Sequence, residues 1–64
     1  MKVSVAVFLT PEDLSQRYGV PLATVYQWRL KAYGPKGIRV GKHVRYSLGE
    51  VERWEREQVE RVAS

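Results

Sequence analysis

Across residues 38–46 apolar and basic side chains alternate on either side of a short polar break, Ile38-Arg39-Val40, then Gly41-Lys42-His43, then Val44-Arg45-Tyr46. Alternation with period two predicts a β-hairpin with one buried and one solvated face. With Gly41-Lys42-His43 as the loop, Val40 stands opposite Val44, Arg39 opposite Arg45 and Ile38 opposite Tyr46. A two-residue loop at Gly41-Lys42 would set Val40 against His43 and Arg39 against Val44, apolar against polar on both faces. The alternation therefore predicts the longer loop. In that register the two arginines are cross-strand neighbours, with Lys42 and His43 at the tip, and like charges so placed repel. A polyanion lying along the face would turn the repulsion into attraction. The plain alternative is a solvated face that happens to be basic.

Upstream, the pattern changes to helical spacing. Thr10-Pro11-Glu12-Asp13 combines an N-cap threonine, a proline suited to the first helical position and an acid at the third. Leu9 and Leu14 sit where a hydrophobic staple would. This predicts a helix from Pro11 to about Tyr18, ended by Gly19, which tolerates positive φ. Only Val20 and Pro21 precede the next helical pattern, Leu22 to about Lys31, so the two form a helix-turn-helix. On the second helix, rotation by about 100° per residue puts Val25, Trp28 and Ala32 on a core side. Ala23, Thr24, Gln27 and Lys31 point the opposite way, short, polar or basic as a helix in a DNA major groove requires. Singly, Thr24 and Gln27 would pass for ordinary surface residues; on the second helix of a helix-turn-helix they become candidate base readers.

Residues 33–37, with Gly34, Pro35 and Gly37, form a loop leading into the hairpin. Ser47-Leu48-Gly49-Glu50 is a capping box opening a third helix, on which Leu48, Val51 and Trp54 follow core spacing. Glu52 with Arg56 and Glu57 with Arg61 are helix-stabilising i,i+4 pairs. Val59 and Val62 extend an apolar edge that is either a fraying end or a partner contact. Residues 3–8 alternate as a β-strand, expected either to complete a sheet with the hairpin or to pair with a neighbouring protomer. The expected architecture is mostly α with a small β-hairpin, a winged helix-turn-helix. Its parts are an N-terminal strand over 1–8, the helix-turn-helix over 10–32, the wing over 38–46 and a C-terminal helix over 48–63, making one DNA-binding domain of residues 1–64.

Charge sharpens the functional expectation. The net charge is +4, yet no carboxylate lies between Leu14 and Gly49, where Arg17, Arg29, Lys31, Lys36, Arg39, Lys42 and Arg45 all fall. A one-signed block within folded structure is the footprint of a nucleic-acid-binding surface. A membrane surface would instead call for aromatics and leucines along one basic amphipathic helix. With 64 residues the core is small, and two Trp, four Tyr and one Phe are its large side chains. The absence of cysteine removes disulfides and thiolate metal sites, and no apolar run approaches the roughly 20 residues of a bilayer span. Residues 1–9 are too short for a signal peptide, so a cytoplasmic protein is expected.

Taken in order, Leu9-Thr10-Pro11-Glu12-Asp13-Leu14, Tyr18-Gly19-Val20, Thr24-Val25-Tyr26-Gln27-Trp28, Arg39-Val40-Gly41-Lys42-His43-Val44-Arg45-Tyr46 and Glu50-Val51-Glu52-Arg53-Trp54 resemble the small excisionase family. These phage and mobile-element proteins are related to the DNA-binding part of MerR-type regulators. The resemblance covers residues 9–54. It implies that Ala23, Thr24, Tyr26, Gln27 and Lys31 meet the major groove and that Lys42 and His43 reach the adjacent minor groove. Arg29, Lys36, Arg39 and Arg45 are expected on phosphates. It implies no cofactor and no metal. As partners it implies double-stranded DNA, an integrase or other recombinase, and further copies of the chain loaded cooperatively on bent DNA in a bacterial host cell. The chain departs from the family at Leu22 and Ala23, where basic residues are frequent, and at Pro21, where a serine cap is frequent. Contact there is expected to be apolar, as against a thymine methyl, with more affinity drawn from the wing and more selectivity from DNA shape.

Three other functions compete. Catalysis is poorly served: His43 is the only histidine, and neither a cysteine nor a second histidine can join it. A small transcriptional regulator with the same fold fits the pattern, without the effector domain or long dimerisation helix of a ligand-responsive one. A protein-interaction module, with DNA binding secondary, would use the last helix or the first strand.

Overall fold

Thr10 and Asp13 exchange hydrogen bonds in the computed structural model, Asp13 N donating to Thr10 Oγ1 at 3.0 Å and Thr10 N to Asp13 Oδ2 at 2.8 Å. The capping box thus starts helix α1, Pro11–Tyr18, where the sequence predicts it. Gly19 ends the helix in the left-handed region at φ 65°, and Val20 N donates to Ser15 O at 3.1 Å. Ser15 Oγ holds the turn from inside, donating to Val20 O at 2.6 Å. Helix α2 spans Leu22–Leu30.

Beyond α2 the chain repeats this kind of ending with the wrong residue for it. Tyr33 N donates to Trp28 O at 2.8 Å and Ala32 N to Arg29 O at 3.2 Å, the two bonds of a Schellman motif. The left-handed position falls on Ala32, φ 54°, where glycine is the usual occupant. The expectation that Ala32 joins Val25 and Trp28 in the core therefore fails. It lies past the helix and is exposed, because the C-terminal turn carries it off the helical face.

The structure describes residues 7–63. The strand expected over 1–8 lies mostly outside them; Phe8–Leu9 form β1, followed after the helices by β2 (Gly37–Val40) and β3 (His43–Ser47). The sheet is antiparallel in the order β1-β3-β2, with Phe8 opposite Ser47 and Leu9 opposite Tyr46. So this short strand pairs within its own chain, and Leu48 N donates to Val7 O at 2.9 Å beside it. Helix α3, Leu48–Ala63, leaves β3 directly, with Ser47 Oγ accepting from Glu50 N at 3.2 Å.

The hairpin register overturns the expected one. Val40 pairs with His43, Arg39 with Val44, Ile38 with Arg45 and Gly37 with Tyr46, leaving Gly41-Lys42 as a two-residue turn. Gly41 has φ 62° and Lys42 is not in the positive-φ region, the sign pattern of a type II′ turn, which fits strand twist and favours glycine first. Ile38 and Val40 consequently face outward, each 53% exposed. The alternation misled because β2 is an edge strand. Tyr46, Val44 and Leu9 supply the apolar inner face from β3 and β1, and β2 contributes only Gly37 and Arg39 to it.

Each layer gives one fully buried side chain to the centre, Leu14 from α1, Val25 from α2, Tyr46 from β3 and Val51 from α3. The other aromatics do not fill that centre as expected. Tyr18, Trp28, Tyr33 and Trp54 form a second, half-covered cluster with ring centroids 5.5–6.0 Å apart, while Phe8 is 48% exposed. Those edge-to-face and tilted contacts join the C-terminal ends of both helices of the helix-turn-helix to α3.

Candidate nucleic-acid interface

Helix α2 buries Val25 and leaves Ala23, Tyr26, Gln27 and Leu30 exposed, spaced i, i+3, i+4 and i+7 along one outward stripe. Thr24, half-buried, lies on the stripe's flank, and Lys31, exposed, caps the helix C-terminus. Of the expected groove residues, Ala23, Tyr26, Gln27 and Lys31 are thus open to a ligand, with Thr24 partly so. Leu30, 85% exposed at the end of the same stripe, was not among them. Its signal in the sequence was available: the spacing from Ala23 places it there. At the start of α2, Pro21 makes no side-chain cap.

The wing carries its cations differently from the sequence expectation. In the observed register Arg39 shares the inner face with Val44, whereas Arg45 and His43 share the outer face with Ile38 and Val40. The predicted side-by-side pair of arginines does not exist; the two project from opposite faces of the ribbon. Lys42 is exposed in the turn between them. Arg45 folds its guanidinium toward its own chain, Nη1 donating to Val44 O at 2.7 Å. Lys36, exposed in the loop before β2, borders a shallow hollow with Glu50, Arg53 and Glu57 of α3.

Of the seven cations in the carboxylate-free block, Arg17 is committed to structure. Its Nε and Nη2 donate to Glu55 at 2.5 and 3.0 Å, and Tyr18 Oη donates to the same carboxylate at 2.7 Å. The hydrogen bond from Arg17 is the main reason the Glu55 carboxyl is held below its ordinary range. Burial first, then the hydrogen bond to Glu55, pushes the Tyr18 phenol well above its ordinary value. The other six block cations take no ion pair among the described residues. No carboxylate among those residues neutralises their charge. The ion pairs along α3 centre on Arg53, 3.5 Å from Glu50 and 3.9 Å from Glu57.

Helix and wing meet at Tyr46. A Cβ built on Gly37 would lie 2.8 Å from Tyr46 Cε1 and 3.2 Å from Arg29 Nη1, so ring and guanidinium come together above a backbone that only glycine leaves open. Tyr46's phenol is pushed up by burial, with the adjacent Arg29 charge acting against that shift and Tyr26 also close enough to act on it. Sequence reasoning missed this junction. The sequence places Gly37 in the loop before the hairpin, whereas it is the first residue of β2, where a glycine marks a close approach.

An antiparallel wing packed behind an α1-turn-α2 unit, closed by α3, is a winged helix-turn-helix. The family model described as helix-turn-helix domain matches residues 8–59. The chain belongs to the helix-turn-helix domain family. That family includes excisionase-like DNA-binding proteins, is typically non-enzymatic, and points to DNA as the partner. Neither the curated proteins nor the solved structures gave a match. Among the described residues no helix is long and apolar enough to cross a membrane, and no group of three or more His, Cys, Asp or Glu side chains is placed to hold a metal ion.

Proposed function

We propose that this helix-turn-helix protein binds double-stranded DNA with sequence preference and acts as an excisionase. In that role it loads cooperatively on adjacent sites, bends DNA and directs an integrase toward excision. The observation that carries the DNA-binding part is the joint presence of an outward α2 stripe and six cations without ion pairs on α2, the loop and the wing. In this reading Ala23, Tyr26, Gln27 and Lys31 meet the major groove with Thr24 at their edge. Lys42 and His43 enter the next minor groove, and Arg39, Arg45 and Lys36 approach phosphates from the two sides of the wing. The elements over 10–32, 38–46 and 48–63 work as one DNA-binding domain. The resemblance of residues 9–54 to excisionases supports the recombination role, and the exposed Val59 and Val62 on α3, 67% and 86% accessible, suit a contact with a recombinase or a neighbouring copy.

Titrating the chain against short duplexes over a range of salt tests the first part. About five phosphate contacts give a slope of log affinity on log salt of roughly −4 to −5; no binding in dilute buffer would refute it. A reconstituted integrase reaction tests the second. Excision that depends on the added protein identifies an excisionase, whereas DNA binding without any effect on excision identifies a local regulator of transcription.

A further inference from the structure

We propose that Arg29 is a positioning residue and not a phosphate contact: its guanidinium, laid over Gly37 against the Tyr46 ring, locks the wing to the recognition helix. The proposal rests on the DNA-binding function above and replaces the phosphate role that the sequence led one to expect for Arg29. Three geometric facts support it. Gly37 and Tyr46 are cross-strand partners, and the ring lies so close over Gly37 that a Cβ would stand 2.8 Å from it. Arg29 Nη1 occupies the same space, 3.2 Å from that point. Tyr46 itself is 2% exposed, so the surface Arg29 rests on belongs to the core and not to the solvated face.

The arrangement suits guanidinium chemistry. A planar, weakly hydrated guanidinium can lie beside the ring and direct one of its fixed fork of donors to the phenol oxygen, a geometry that a compact ammonium does not offer. It also answers a mechanical need. β2 is an edge strand, with its outer residues Ile38 and Val40 half-exposed, and residues 31–36 are irregular. Arg29 reaches from the last turn of α2 to the first residue of β2, bypassing that loop. Groove-to-groove binding requires the distance between helix stripe and wing tip to be set before DNA arrives.

Salt dependence and chemistry of replacement separate the two roles. Lost phosphate contact removes about 0.9 from the magnitude of the salt slope, and Arg29→Lys should then behave nearly as wild type. For a positioning residue, Arg29→Lys and Arg29→Gln both weaken binding, by roughly fivefold as for one lost hydrogen bond, with the slope unchanged. Tyr46→Phe, which removes the phenol oxygen that the Arg29 guanidinium hydrogen-bonds, should mimic them, and the Arg29→Gln/Tyr46→Phe pair should be no weaker than the worse single variant. A reduced slope, or a lysine variant indistinguishable from wild type, overturns the proposal.

A second measurement needs no DNA. In the free protein, Arg29→Gln should raise ps–ns mobility of the amides of residues 39–44, and a residue waiting for phosphate would leave them unchanged. If the wild type binds no duplex, the proposed function fails, while this measurement still decides whether Arg29 holds the wing.

Discussion

Tyr18 Oη and Arg17 converge on the carboxylate of Glu55, which ties the end of α1 to the middle of α3. Because Arg17 lowers the Glu55 carboxyl, the folded state binds fewer protons than the unfolded chain as the pH passes the ordinary glutamate value of about 4.3. The stabilisation is present above that value and is lost as the pH falls through the lower folded value. Glu55→Gln should therefore cost about 1 kcal/mol at neutral pH, the scale of a partly exposed bidentate pair, and progressively less as acid titrates the carboxylate. Tyr18 runs the other way. Its raised phenol stabilises below its ordinary value of about 10, and that contribution is lost as the pH rises through the higher folded value. Thermal melts of both proteins across pH check this. A gap between them that does not narrow in acid would contradict it.

Ala32 occupies the left-handed position of the Schellman motif after α2, at φ 54°. An L-residue with a Cβ is strained there by about 1–2 kcal/mol, and glycine is not. Glycine also loses more freedom on folding, which returns part of the gain. Ala32→Gly should leave the fold unchanged and stabilise it by roughly 0.5–1 kcal/mol. Denaturant midpoints measure it, and destabilisation would mean that the alanine methyl does more than the exposed position indicates.

Gly37→Ala tests the helix–wing junction by steric means. The new methyl would meet Tyr46 Cε1 at 2.8 Å and Cδ1 at 3.1 Å, and Tyr46 is a fully packed ring with no free end to swing aside. Overpacking of this kind should cost about 1–3 kcal/mol. Gly41→Ala provides the comparison, since it has nothing within 4 Å and only its φ of 62° to lose. Equal costs at the two positions would argue that Gly37 matters only for strand flexibility.

On DNA, the stripe and the wing should fail in different ways. Gln27→Ala removes the amide proposed to face the major groove and should change the ranking among sequences, by about 1–3 kcal/mol at the base proposed for it. Arg39→Ala, which removes a proposed phosphate contact of the wing, should weaken all sequences alike and flatten the salt slope by about 0.9. Competition binding across a randomised duplex pool, at two salt concentrations, separates them. Parallel losses from both variants on every sequence would refute the major-groove role of α2.

Element limits were legible where local chemistry decides them. Thr10, Pro11 and Asp13 set the start of α1, Gly19 its end and Ser47 the start of α3, because caps act within a few residues. Ala32 was not legible, since nothing local announces that a left-handed residue will be tolerated without glycine. The hairpin register was misread for a tertiary reason. Period-two alternation assigns a face only if each strand has a core to cover, and β2 lies at the sheet's edge with Tyr46 already over Gly37. The candidate site was legible as composition, since the cations and the polar stripe of α2 are local features. Which cations are spent was not: Arg17 is 38 positions from the Glu55 that binds it, and Arg29 of α2 lies beside Tyr46 of β3.

The register itself is open to a direct test through Ile38 and Val40. In the structure both side chains point away from the core, half-exposed on the outer face. Replacing both by threonine keeps β-branching while removing apolar surface that water already reaches, so stability should change by less than about 0.5 kcal/mol per site. Val44 lies on the inner face and packs on the core cluster. Val44→Thr, the same kind of exchange, should cost about 1–3 kcal/mol because the hydroxyl is forced against apolar neighbours. Had the three-residue loop formed, Ile38 and Val40 would share the core face with Val44, and all three exchanges would be costly. Urea denaturation of the double and single variants decides between the two ribbons. It also decides which face carries Arg45, because a shift of one residue turns every side chain of β2 or β3 to the other side.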